Sequence, residues 1–156
     1  EGSKFNTGDS IAELKGNARV IVAAERCILN LLQRLSAVAT KTAMFVDMVS
    51  DYGVRVLDTR KTTTGLRALE KAAFVAGGGT PHRYNLSDMV LIKENHLRAG
   101  LINPNKISDI RNKYNCKIEC EVSSSEQLEM VIEAGVDIIM LDNFEPDRIM
   151  EAIPLV

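Results

Sequence analysis

The segment LDTRKTTTG (57–65) sets Arg60 and Lys61 directly after an apolar run, with hydroxyls at 59, 62, 63 and 64 and Gly65 closing it. A guanidinium fork matches carboxylate and phosphate, and amides at a following helix start add donors, so such a loop suits an anion. A solvated basic loop has the same composition, and this segment alone leaves both open. A second loop, GGGTPHRYNLSD (77–88), carries His82 and Arg83 behind a glycine run that lets the backbone take close, irregular paths. Lys93 ends another apolar run, where an ammonium needs an anionic partner from protein or ligand unless it snorkels to solvent. Glu119, Glu121 and Asp142 add carboxylates in two further apolar runs. Mg²⁺ is commonly held by one or two carboxylates plus substrate phosphate oxygens, which Glu121 and Asp142 fit. Glu119, one pleat deeper, is expected to pair with Lys117 or Lys93, and internal salt bridges are the alternative role for all of these acids. Together the residues describe a cationic pocket with carboxylates at one side, suited to a ligand with carboxylates and a phosphorylated, metal-bound partner.

Such side chains need a scaffold that points them one way. After Gly53, candidate strands at 54–58, 88–93, 116–122 and 137–142 alternate with candidate helices. These helices cover 65–76, 104–114 with Asn103 as N-cap, a stretch opened by a Ser123–Glu126 capping box and ended by Gly135, and a last one from Pro146. Strands spaced by helices of this length indicate a parallel sheet covered by helices. Side-chain alternation puts Met89, Leu91 and Lys93 on one face, then Lys117, Glu119 and Glu121, then Ile138, Met140 and Asp142. Each strand thus ends in a charge on that face, which describes the mouth of a (β/α) barrel. The glycine run 77–79 follows a helix, so the dinucleotide fingerprint is absent. In a parallel sheet, however, the 77–88 loop belongs at the N-terminal strand ends, away from the mouth, unless it folds back. Upstream, residues 1–16 suggest one or two small strands, and 17–52 carry helical spacing that Ser36 or Thr40 could interrupt.

At 156 residues, 46% hydrophobic and 26% charged, the chain has the composition of a globular domain, which excludes disorder. The net charge of −2 argues against nucleic-acid binding through bulk positive charge. Its distribution is uneven: residues 55–98 hold a local +4 and both histidines, His82 and His96, leaving −6 elsewhere. No stretch approaches the roughly 20 apolar residues of a membrane span, and the first ten residues have no apolar signal core, so a soluble protein without a membrane partner is expected. Cys27, Cys116 and Cys120 give no disulfide framework and suit the reducing cytoplasm, the last two as buried small hydrophobes. A closed barrel needs about eight strands and four are visible, so the chain is expected to be the middle of a longer protein.

The strings ERCILNLLQRLSAVAT (25–40), LDTRKTTTGLRALEK (57–71), GGTPHRYNLSDMVLIKENH (78–96) and IECEVSSSEQLEMVIEAGVDIIMLDNF (118–144) closely resemble the quinolinate phosphoribosyltransferase family. The resemblance covers nearly the whole chain. It implies an α/β fold: the incomplete (β/α) barrel of type II phosphoribosyltransferases, from 36 to 156, after part of an N-terminal α/β sandwich domain and linking helix at 1–35. It implies transfer of the phosphoribosyl group of phosphoribosyl diphosphate to quinolinate with decarboxylation, giving nicotinate mononucleotide, diphosphate and CO₂ in NAD biosynthesis. Arg60, Lys61, His82, Arg83 and Lys93 match the family's substrate-binding cations, with Lys61 and Lys93 also in its catalytic set. The match thereby places His82 and Arg83 in the site. Glu121 and Asp142 match acids at the ribose and at a Mg²⁺ cofactor. Arg26 matches an arginine that reaches the neighbouring subunit's site, implying a homodimer, or a higher oligomer, with shared active sites. Thr64 stands where the family usually has proline and Ala37 where it has glycine, and the family's opening region and later glycine-rich phosphate segments do not occur in these residues. A relative acting on another heteroaromatic acid, or a catalytically silent binding fragment, are the alternatives.

Overall fold

No glycine or proline occurs between Asn17 and Tyr52, and this stretch forms one helix, α1 (Ala18–Val49), in the computed structural model, which describes residues 2–100 and 102–156. Asn17 caps it, its side-chain oxygen accepting from the Arg19 amide (2.9 Å). The interruption expected at Ser36 or Thr40 does not occur, because serine and threonine are only weakly unfavourable inside a helix and nothing there removes a backbone donor. Thr42, two residues on, is buried with its hydroxyl turned back to the Val38 carbonyl (2.9 Å). The domain boundary expected at 35/36 therefore falls inside a continuous helix. The small strands expected before residue 17 are also absent among the described residues, where the chain makes a turn closed by Asp9 on Asn6.

The chain divides into two compact units, Glu1–Tyr84 and Asn85–Val156. In the first, α1 packs against α2 (Arg67–Ala76). Gly77 ends α2 where the two helices come closest: a Cβ added there would fall on the Ala39 carbonyl oxygen and 2.8 Å from Thr42 Cβ. The expected strand at 54–58 reduces to one parallel bridge, Leu57 with Thr80, fixed by the Thr80 amide on the Val56 carbonyl (2.9 Å). Pro81 follows immediately and has no N–H with which to extend the ladder.

The second unit holds a three-stranded parallel sheet in the order β1 (Val90–Ile92), β2 (Ile118–Val122), β3 (Ile138–Leu141). The strands are shorter than expected, yet their register places Leu91 beside Glu119 and Glu121 beside Met140. Ile118, Cys120 and Val122 point to the other face. There they form a core with Ile92, with Ile107 of α4 (Pro104–Tyr114), and with Leu128 and Val131 of α5 (Ser125–Ala134). Each such fully buried aliphatic side chain stabilises the unit by about 1.5–3 kcal/mol relative to exposure.

Helix ends follow local rules: Asn103 caps α4 through the Lys106 amide (2.9 Å), and Asn115 and Gly135 take left-handed conformations at the ends of α4 and α5. The cap of α5 is Ser124, one residue later than expected, because Gln127 reaches back to the Ser123 amide (2.8 Å). A short helix without a clear signal in the sequence, α3 (Glu94–Arg98), follows β1, and α6 (Pro146–Ala152) follows β3. Asp137 takes the Ile118 amide (2.8 Å) and Arg111 (2.9 Å); chiefly the amide holds its carboxyl below the usual range.

Gly77→Ala tests the α1–α2 contact. It is expected to lower stability by about 2 kcal/mol by overpacking, read from the urea midpoint at unchanged m-value.

Candidate active site

Because the Leu57–Thr80 bridge is parallel, the residues after both partners leave at the same end of the first unit. One exit carries Asp58 through Lys61, and the other carries His82 and Arg83. The run of glycines leads into the bridge, so the chain after it emerges at the same end as Asp58, and His82 lands beside Asp58. The Asp58 carboxylate accepts from the His82 amide (2.8 Å), and Lys71 Nζ donates to both Asp58 oxygens (2.5 Å each) and to the His82 carbonyl (3.1 Å). The side chains of Lys71 and Asp58 are 7% and 8% exposed. One buried ion pair therefore holds both backbone polar groups of His82.

The Arg60–Lys61 loop is fixed from inside and from α2. The Lys61 amide donates to Thr59 Oγ1 (3.0 Å) and the Thr62 amide to the Arg60 carbonyl (3.0 Å), which also takes Arg67 Nη2 (3.4 Å). Arg60 is half-buried, and its Nε is buried without a hydrogen-bond partner among the described residues. Such a donor costs about 1–3 kcal/mol when left unmet. Lys61 lines a cleft of about 200 Å³ together with Asp58, Thr59, Thr62, Glu70 and Lys71. The loop closes in a turn with the Leu66 amide on the Thr63 carbonyl (3.0 Å) and Gly65 at φ 80°. That is type II geometry, with Thr64 at the position proline favours.

Glu70 is 8% exposed. Its Oε1 accepts from Thr63 Oγ1 (2.8 Å) and from Arg34 Nη2 (2.9 Å) and Nε (3.1 Å), and its Oε2 from the Thr63 amide (3.1 Å). The bonds from Thr63, reinforced by Arg34, hold the Glu70 carboxyl below the usual carboxylate range. Sequence reasoning did not single out Arg34, Asp58, Thr63, Glu70 or Lys71 as site residues. A signal existed: Glu70 and Lys71 lie four and three residues before Phe74, on the stripe that α2 buries.

In the second unit, Lys93 Nζ bonds Glu121 Oε2 (2.7 Å) across the C-terminal ends of β1 and β2. The sequence called for an anionic partner for Lys93 from protein or ligand; the structure supplies Glu121, and Glu119 lies one pleat deeper, buried. The Lys93 amide donates to His96 Nδ1 (2.9 Å) at the start of α3. Asp142 follows β3 two residues past Met140 and accepts from Asn143 Nδ2 (3.0 Å). No group of three or more His, Cys, Asp or Glu that could hold a metal forms among the described residues. Of the two acids expected at Mg²⁺, Glu121 is bonded to Lys93 and Asp142 to Asn143. Arg26 lies exposed on α1. Cys120 is buried, and burial, with Glu121 and Glu119 adding, pushes its thiol up to about 11, which leaves it without thiolate character near neutral pH.

A parallel sheet whose strands alternate with helices, with charged side chains at the strand ends, gives this chain the architecture of the (β/α) class. The comparisons with known proteins narrow this class. Residues 38–156 match the model of the quinolinate phosphoribosyl transferase C-terminal domain, and residues 1–36 that of its N-terminal domain. The chain belongs to the quinolinate phosphoribosyltransferase family. A probable carboxylating nicotinate-nucleotide pyrophosphorylase of Bacillus subtilis is 43% identical over 96% of the chain and 52% of its own length. A relative of the same description from Methanocaldococcus jannaschii is 42% identical over 97% of the chain and 56% of its own length. The crystal structure of NadC from Streptococcus pyogenes superposes with a TM-score of 0.89 at 41% identity, over 99% of the chain and 55% of that one. The chain spans about half the length of the curated relatives it matches, and its fold is the type II phosphoribosyltransferase fold implied by the resemblance. No helix among the described residues is long and apolar enough to cross a membrane.

Two variants test this geometry. Lys71→Met leaves Asp58 charged and buried, and is expected to cost about 3–5 kcal/mol in chemical denaturation. Thr64→Pro is expected to raise stability by about 0.4–1 kcal/mol, because the turn already has the backbone proline prefers.

Proposed function

We propose that this chain forms part of an enzyme that transfers the phosphoribosyl group of phosphoribosyl diphosphate to quinolinate with loss of CO₂, giving nicotinate mononucleotide and diphosphate for NAD biosynthesis. The observation that carries this reading is the convergence of Arg60, Lys61, His82 and Arg83 at one end of the first unit, fixed by Asp58 and Lys71, with a buried Arg60 donor unmet. Family membership adds the substrate class.

In this reading Arg60, His82 and Arg83, with Arg26 from a second subunit, bind the two quinolinate carboxylates, and Lys61 and Lys93 complete the cationic set. The pyridine nitrogen attacks C1 of the sugar as the C1–oxygen bond to diphosphate breaks. Glu121 and Asp142 face the oxocarbenium-like charge that develops. Glu121 and Asp142 would also hold the Mg²⁺ ion that the resemblance implies, whose charge would neutralise the departing diphosphate. Decarboxylation follows, with the electron pair of the breaking C–C bond stabilised by the cationic ring nitrogen and then protonated. No covalent enzyme intermediate is needed, since positioning and charge neutralisation carry the rate. The same reading makes the protein a homodimer with shared sites, or a higher oligomer built on it, with residues 1–35 belonging to the N-terminal domain and 36–156 to the barrel. It places the enzyme in the cytoplasm, which its sparse, unpaired cysteines suit.

The test is turnover of quinolinate, phosphoribosyl diphosphate and Mg²⁺ by the full-length protein, with nicotinate mononucleotide as the measured product. Turnover only with a different pyridine acid would overturn the assignment. Arg60→Ala is expected to lower kcat/KM roughly 100-fold, about 3 kcal/mol of transition-state stabilisation, and a loss under about threefold would remove Arg60 from the site.

A further inference from the structure

The dicarboxylate-binding loop carries cations, yet it is anchored on a buried acid. Thr63 is bound to Glu70 through both its amide (3.1 Å) and its hydroxyl (2.8 Å). Arg34, from the middle of α1, donates to the same carboxylate (2.9 and 3.1 Å) and also to the Thr63 hydroxyl (2.9 Å). The three side chains thus close a ring. Thr63 lies two residues after Lys61, and the Thr62–Arg60 and Lys61–Thr59 bonds leave little slack between them. Fixing Thr63 therefore fixes where Arg60 and Lys61 are presented.

We propose that Arg34, Thr63 and Glu70 form a positioning triad for the Arg60–Lys61 loop, in which Glu70 orders the loop and Arg34 cancels the charge that would otherwise repel a dianionic substrate. The proposal rests on the functional reading above for its substrate, and on the hydrogen-bond ring for its geometry. None of the three is among the substrate-binding residues named above, and their bonds run to one another: Glu70 is directed at Thr63 and Arg34, and Arg34 at Glu70 and Thr63. A charged group that only stabilised the helix pair would not need to hold a loop amide and a loop hydroxyl at once. Preorganised support of this kind is what holds binding groups within about half an ångström of productive geometry.

The experiment has two arms on the full-length protein. In the first, steady-state kinetics compare Thr63→Val, Thr63→Ser, Glu70→Gln and Arg34→Met with the parent enzyme. Thr63→Val and Arg34→Met are expected to raise KM for quinolinate about tenfold with kcat changed less than about threefold, and Thr63→Ser, which keeps the hydroxyl, to restore KM to within about twofold. In the second arm, native-state trypsin cleavage after Arg60 and Lys61 is followed by mass spectrometry. Thr63→Val and Glu70→Gln are expected to speed it by about tenfold at temperatures where all variants remain folded by circular dichroism. Unchanged cleavage, or a Thr63→Ser enzyme as impaired as Thr63→Val, overturns the triad. A parent enzyme that does not turn over quinolinate overturns the functional reading instead, and the cleavage arm still decides the triad's geometry.

Discussion

Lys71 and Asp58 lie almost entirely out of water, each the other's counter-charge. Removing two ions from solvent is costly, and the cost is met only when the remaining hydrogen-bonding capacity is used as well. Here it is used on His82, whose N–H goes to Asp58 and whose carbonyl receives Lys71. The ion pair thereby ties the residue just past the bridge, Asp58, to a residue of α2 and to the loop beyond the glycines. The end of the first unit that gathers Arg60, Lys61, His82 and Arg83 depends on it. A buried pair of two hydrophobic residues could fill the same volume, but it could not hold a peptide group by both its donor and its acceptor.

The same logic recurs at Glu70. A cluster of cations is self-repelling, and loops that display cations need counter-charges that do not themselves meet the ligand. Glu70 and Asp58 fill that role from below the loop, each bonded to backbone as well as to a basic side chain. The positive segment visible in the charge distribution is therefore sorted by depth. Lys71 is consumed inside and Lys61 remains exposed at the cleft, while Arg34, from outside that segment, is shared with Glu70.

In the second unit the controlling constraint is the two-residue period of the strand. Ile118, Cys120 and Val122 fill the helix-covered face, so Glu119 and Glu121 must take the other. Parallel register then brings Glu121 within reach of Lys93 and sets Asp142 on the neighbouring strand end. This part was legible in the sequence because alternation is a property of the chain itself. So were the start of α4 at Asn103-Pro104 and the stops at Asn115 and Gly135, where a cap side chain or a left-handed residue acts within one turn.

Other features were not legible, each for want of a distant partner. Residues 1–16 and 54–58 have strand-like composition, but a strand exists only where a neighbour completes its hydrogen bonds, and the chain offers Leu57 a single bridge to Thr80. The packing of α1 against α2 at Gly77 was hidden in the same way. Burial of Glu70 and Lys71 was equally hidden, because a charge on a helix stripe is ordinarily taken as solvated until its partners are known. By itself the sequence determined the family resemblance, the alternation of β1, β2 and β3 with α4, α5 and α6, the face that carries Lys93, Glu121 and Asp142, and the identity of the candidate cations. Only the tertiary structure decided that His82 emerges beside Asp58, that Glu70 and Lys71 lie beneath the loops, and that Arg34 joins them. Those contacts link residues up to 36 positions apart, and local chain physics does not reach that far.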